Sequence, residues 1–124
     1  MATNVWPDFS KEATPRGMRK MLEELCAGLE TKTRGLVRAN VSQVNLDDDE
    51  FRYTVELDVP QATFQYPLLT VQTGIGPFPA KIVWSGGDFV EVDKEEGLAH
   101  FIKVILESER TRELIKNLMA LATE

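Results

Sequence analysis

The chain has 124 residues, of which 43% are hydrophobic and 27% charged, with a net charge of −6 and a single cysteine. That supports one folded domain burying roughly two-thirds of its unfolded surface, and it excludes both a disulfide within the chain and the apolar-poor composition of disorder. The charge is uneven: residues 47–107 carry twelve Asp/Glu against four Lys/Arg, net −8, so phosphate-backbone binding is disfavoured and a basic protein partner has the right sign.

The first residues, MATNVWPDFSKEA, have neither the basic start nor the apolar core of a secretion signal. No run approaches the roughly 18 apolar residues of a membrane span. With one cysteine, a reducing compartment fits, and the expectation is a cytoplasmic protein with no membrane contact. Residues 1–13 read as an arm pinned to the body by Trp6, Pro7 and Phe9. Residues 14–124 read as a single α+β domain.

Thr14-Pro15 is a helix start signal, a cap followed by proline at the first helical position. Apolar Met18, Met21, Leu22, Leu25 and Leu29 follow at amphipathic-helix spacing. Arg19–Glu23 and Lys20–Glu24 are spaced for helix ion pairs. Thr31 to Thr33 weaken the helix and Gly35 marks its exit. The period then falls to two. Val37, Ala39 and Val41 alternate with polar residues; Asp47-Asp48-Asp49-Glu50 makes a polar turn. Phe51 to Val59 then alternates cleanly, one face buried and one wet. Pro60 ends that strand. Tyr66 to Ile75, Ala80 to Trp84 and Phe89 to Val92 are further strands, the last two joined by a hairpin signal at Ser85-Gly86-Gly87. Asp93 is placed to cap a helix with Glu95 and Glu96 in its first turn. Over 95–122 the stripe fits either one long helix or two, with Ser108 as the second cap. Short connections predict an antiparallel four- or five-stranded meander, with the helices packed on one face in two layers.

Gly74-Ile75-Gly76-Pro77 with Lys81 beyond invites comparison with a phosphate loop. It fails on mechanism. Such a loop opens into a helix and presents free N–H groups; here proline has none, and Ile82-Val83-Trp84 continues as a strand. The reading is a connection whose glycines allow positive φ. Asp47-Asp48-Asp49-Glu50 lacks the spaced oxygens and glycine of a calcium loop. It reads as a solvated turn or as a docking patch for a basic partner. His100 and Cys26 are the only residues of their kinds, too few for a structural zinc site. His100 reads as surface or structural and Cys26 as a small core residue. No metal or cofactor is expected.

Trp84 and Phe89, flanking the Gly-Gly turn, are core lids or interface anchors. The leading expectation is therefore a small, acidic, non-enzymatic protein-binding module, adaptor or inhibitor-like, using Asp47, Asp48, Asp49, Glu50, Trp84 and Phe89. The alternative is a small-ligand protein or enzyme with a pocket between sheet and helices, drawing carboxylates from Glu56, Asp58, Glu91 or Asp93. A nucleic-acid reading needs Arg16, Arg19, Lys20, Lys32, Arg34 and Arg38 clustered together. A homodimer through the sheet or the C-terminal helices stays open.

Overall fold

A computed structural model describes residues 5–84 and 88–124. The elements run α1 (Met18–Leu25), α2 (Leu29–Lys32), β1 (Arg38–Asn45), β2 (Phe51–Val59), a 3-10 turn (Pro60–Ala62), β3 (Phe64–Thr73), β4 (Ala80–Trp84), β5 (Phe89–Val92), α3 (Glu95–Glu107) and α4 (Glu109–Ala122). The five strands form one antiparallel sheet in chain order, β1-β2-β3-β4-β5. This is the expected α+β arrangement with all the helices on one sheet face.

The alternation of β2 carries through to packing. Val55, Leu57 and Val59 are buried at 0–1% exposure, whereas Arg52, Thr54, Glu56 and Asp58 between them turn to the other face. The core joins these residues and Val71 and Ile82 of the sheet to Met18, Leu22, Leu98, Ile102 and Leu118 of the helices. A fully buried side chain of this size stabilises the fold by roughly 1.5–3 kcal/mol. In β3 the register against β2 shifts between Val55 and Glu56. The resulting bulge at Leu68 lets Leu68 and Leu69, consecutive in sequence, both be buried. It also accommodates Pro67 inside the strand, which starts two residues earlier than the sequence suggested, because β4 ends opposite Leu69 and leaves the first half of β3 without a neighbour there.

Several local expectations give way. The first helix starts at Met18 behind Gly17, three residues past Thr14-Pro15. Arg16 holds that entry by pairing with Glu24 and, at 2.6 Å, with Glu95. Glu24 is thus taken by Arg16, and Arg19 donates instead to the Val41 carbonyl at 2.9 Å. The helix breaks after Leu25 because Gly28 is left-handed, at φ 95°. Thr33 then ties the end of α2 to the chain entering β1: its buried hydroxyl lies 2.9 Å from the Leu29 carbonyl and accepts the Val37 N–H at 3.1 Å. Gly74 and Gly76 do not take the left-handed backbone that the sequence reading assigned them; Gly28 and Gly35 do. Lys94, not Asp93, holds the cap position of α3, without a side-chain bond. Trp6 and Phe9 are 77% and 64% exposed.

The 95–122 stripe is two helices. The Ser108 hydroxyl accepts the Thr111 N–H at 3.2 Å and donates to the Ile105 carbonyl at 2.8 Å. The buried Thr111 hydroxyl donates to the same carbonyl at 2.7 Å. The corner therefore gives a partner to the Ile105 carbonyl at the end of α3 and to the Thr111 N–H at the start of α4. The expected Ser85-Gly86-Gly87 turn lies outside the described residues. Either side of it, Val83 pairs with Phe89.

Candidate functional site

A meander alternates its connections between two ends of the sheet. The β1–β2 turn, the β3–β4 loop and the β5–α3 connection therefore share one end. The first brings Asp47, Asp48, Asp49 and Glu50, all exposed; the last brings Asp93, Glu95 and Glu96. Between them lies Ile75, 78% exposed. The Leu46 N–H donates to the Glu50 carbonyl at 2.7 Å and closes the turn over Asp47–Asp49. Asp48 and Asp49 sit at φ 61° and 59°. Aspartate tolerates this backbone better than most residues, so the acids also serve the turn. Glu50 borders a shallow depression of about 220 Å³ with Gln72, Lys81 and Glu91.

Trp84 and Phe89 are not part of that cluster, nor of one patch with each other. Since Val83 opposes Phe89, Phe89 shares the uncovered face with Val83, and Trp84, one residue on, faces the helices. Phe89 is 58% exposed, with the Lys81 ammonium 4.3 Å from its ring centroid, a cation–π contact. Trp84 is half-buried. From β2 to β5 is three strand steps, roughly 14 Å, which separates Phe89 from the acidic turn.

The helix-covered side holds two clefts. One, of about 530 Å³, is lined by Tyr66, Leu68, Trp84, Phe101, Ile105 and Leu114, with Asp88, Arg110 and Glu113 among its polar groups. The other, of about 480 Å³, opens between α1–α2, the first strands and α3. Leu25, Leu29, Leu57, Ile102, Leu106 and Ile115 line it, with Lys32, Lys103 and Glu107 as its charged groups. None of Glu56, Asp58, Glu91 and Asp93 lines either cleft. Glu56 accepts from the Ser42 hydroxyl at 3.0 Å, and Asp58 pairs with Arg38 at 2.8 Å. Both bonds cross from β2 to β1 on the uncovered face.

Cys26 borders the second cleft and is 8% exposed; burial pushes its thiol up to about 11. His100 is exposed, edge-on to Phe101 at 5.4 Å. Among the described residues no group of three or more His, Cys, Asp and Glu is placed to hold a metal ion. Nor is any helix among them long and apolar enough to cross a membrane. Of the six basic residues that a nucleic-acid reading needs clustered, Arg16, Arg19 and Arg38 are engaged by carboxylates or a carbonyl of the same chain.

Sequence reasoning missed the cleft leucines as a group. Leu25, Leu29 and Leu106 fit the core stripe of their helices, and their spacing carries no mark of the cleft they line. Compared with models of protein families, with curated proteins and with solved structures, the chain finds no match.

Proposed function

We propose that the protein is a non-enzymatic docking module that binds a basic protein partner through the acidic end of its sheet. The observation that supports this is that two acidic segments, Asp47–Glu50 and Asp93–Glu96, lie at the same end of the sheet, with the loop carrying the exposed Ile75 between them in strand order. Crowded carboxylates raise the local negative potential, which speeds encounter with a cationic surface and discriminates against acidic ones. Ile75 offers exposed apolar area at the same end of the sheet, where a buried contact would concentrate binding energy. Phe89, on the uncovered face, lies away from these segments and adds contact only if the partner reaches across the sheet.

The test is affinity capture from native lysate at low and moderate salt, using wild type and the triple variant D47N/D48N/D49N. Asparagine keeps the tolerance for left-handed backbone and removes the charge. The expected result is a stoichiometric basic protein that wild type loses as salt rises and that the triple variant retains poorly at any salt. Retention independent of both salt and the triple variant would refute the reading. Light scattering accompanies it: a tight dimer that retains no partner argues instead for self-association.

A second reading has its own support. The two clefts between sheet and helices lie in the range of ligand pockets, roughly 300–1,000 Å³, and their walls are mostly apolar. A small apolar ligand fits that chemistry. The absence of Glu56, Asp58, Glu91 and Asp93 from both linings removes the acid/base pair that catalysis there was expected to use.

A further inference from the structure

The cleft between α1–α2 and α3 has a two-part chemistry. Its walls are aliphatic: Leu25, Leu29, Leu57, Ile102, Leu106 and Ile115. Of these, Leu25, Leu29, Leu106 and Ile115 are only partly buried, so they remain wet in the free protein. Two ammonium groups, Lys32 at the end of α2 and Lys103 on α3, belong to the same lining, with one carboxylate, Glu107. Among the described residues neither lysine has an ion-pair partner, although Glu107 follows Lys103 by one helical turn. Long lysine stems lie along apolar walls while their charged heads stay in water.

We infer that this cleft binds a single-chain amphiphile with an anionic head, its acyl chain along the leucines and its head at Lys32 and Lys103. The inference rests on the ligand-pocket reading above and narrows it to a ligand class. An apolar chain that covers four wet aliphatic side chains is favoured by the hydrophobic effect. The sign of the head follows from the lining: two cations against one anion. The other cleft does not share this arrangement. Its charged groups are Asp88, Arg110 and Glu113, two anions against one cation.

The experiment is calorimetric titration of the intact protein with laurate, 1-dodecanol and dodecyltrimethylammonium. They carry chains of nearly equal length on an anionic, a neutral and a cationic head. Two variants accompany wild type: K32A/K103A, and A99F, which fills the cleft from α3. Laurate is expected to bind one per chain, with the ammonium analogue weaker by roughly tenfold. K32A/K103A is expected to weaken laurate by roughly three- to tenfold, the range for two exposed ion pairs, and dodecanol clearly less, through the lost lysine stems alone. A99F is expected to abolish both. Equal binding of all three heads, unchanged by K32A/K103A, would overturn the inference while the pocket reading stands. No binding of any chain would overturn both. Laurate binding that survives in folded A99F would also overturn the inference, because the chain then sits elsewhere. Should A99F fail to fold, the lysine variant still decides the head group. A dimer dispersed by A99F, with no chain bound, would give the cleft to a second copy.

Discussion

At the scale of single residues, Cys26 is the group whose chemistry the fold changes most. Its thiol is pushed from an ordinary 9.0 to about 11 by burial alone. The cause is desolvation, which penalises the thiolate and not the neutral thiol. A group whose folded pKa lies above its unfolded one favours the folded state below the unfolded value. That contribution is given up as pH rises through the folded value. The window therefore runs from about pH 9 to 11, and two units correspond to about 2–3 kcal/mol. Urea denaturation at pH 8 and at pH 10.5 should show a larger loss of stability for wild type than for C26A. The thiol should also react slowly with an alkylating reagent at pH 8 until denaturant is added. Equal pH slopes in the two proteins would mean that Cys26 is solvated. The sequence sufficed to read Cys26 as a small core residue, since it neighbours Leu25 on the amphipathic α1. Thr33 was legible only as a helix weakener. Its bond to the Val37 N–H depends on the left-handed Gly35 returning the chain, which no local pattern announces.

At the scale of elements, the corner between α3 and α4 shows what a cap decides. The hydrophobic stripe over 95–122 suits one helix or two, because apolar periodicity continues through the corner. Ser108 settles it by bonding the Thr111 N–H and the Ile105 carbonyl together. Replacing such a cap by alanine costs about 0.5–2 kcal/mol. S108A is expected to lose about that much in urea, and S108D to recover most of it, since a carboxylate still accepts from Thr111. If S108A were neutral, the corner would be held by the Thr111 hydroxyl alone. The start of α1 teaches the opposite lesson. Thr14-Pro15 is a sound start signal, but Gly17 follows within two residues and opposes helix. Arg16, held by Glu24 and Glu95, draws the chain away before Met18. The second of those partners is distant in sequence, so the local motif could not reveal it.

At the scale of the whole molecule, the fold class and an antiparallel meander were legible because every strand is bounded by turn residues and every connection is short, whereas the order β1-β2-β3-β4-β5 is fixed only by the pairings themselves. The site was legible only in part. The acidic turn is local and stands where the sequence put it. Whether Trp84 and Phe89 share a face depends on the pairing across residues 85–87, and the 83–89 register sends them to opposite sides. The juxtaposition of Asp47–Glu50 with Asp93–Glu96 is a property of the meander, and it has an energetic consequence. Repulsion within Asp47–Glu50 persists when the chain unfolds, because those residues are consecutive. Repulsion between the two segments exists only in the fold. At about 15 Å in water each such pair costs roughly 0.3 kcal/mol. Lys81, Lys94 and Arg16 offset part of the sum, leaving a net cost on the order of 1 kcal/mol. The Debye length falls from roughly 30 Å at 0.01 M salt to 10 Å at 0.1 M, so this cost is present at the first concentration and largely screened at the second. Wild type should therefore gain about one to two degrees in Tm between those salts, and D47N/D48N/D49N should gain much less and start from a higher Tm at 0.01 M. A wild-type Tm that is flat or falls with salt would mean the two segments do not repel across the sheet end. It would also remove the concentrated potential on which the docking reading depends, since the field that costs stability in the free protein is the one that attracts a basic partner.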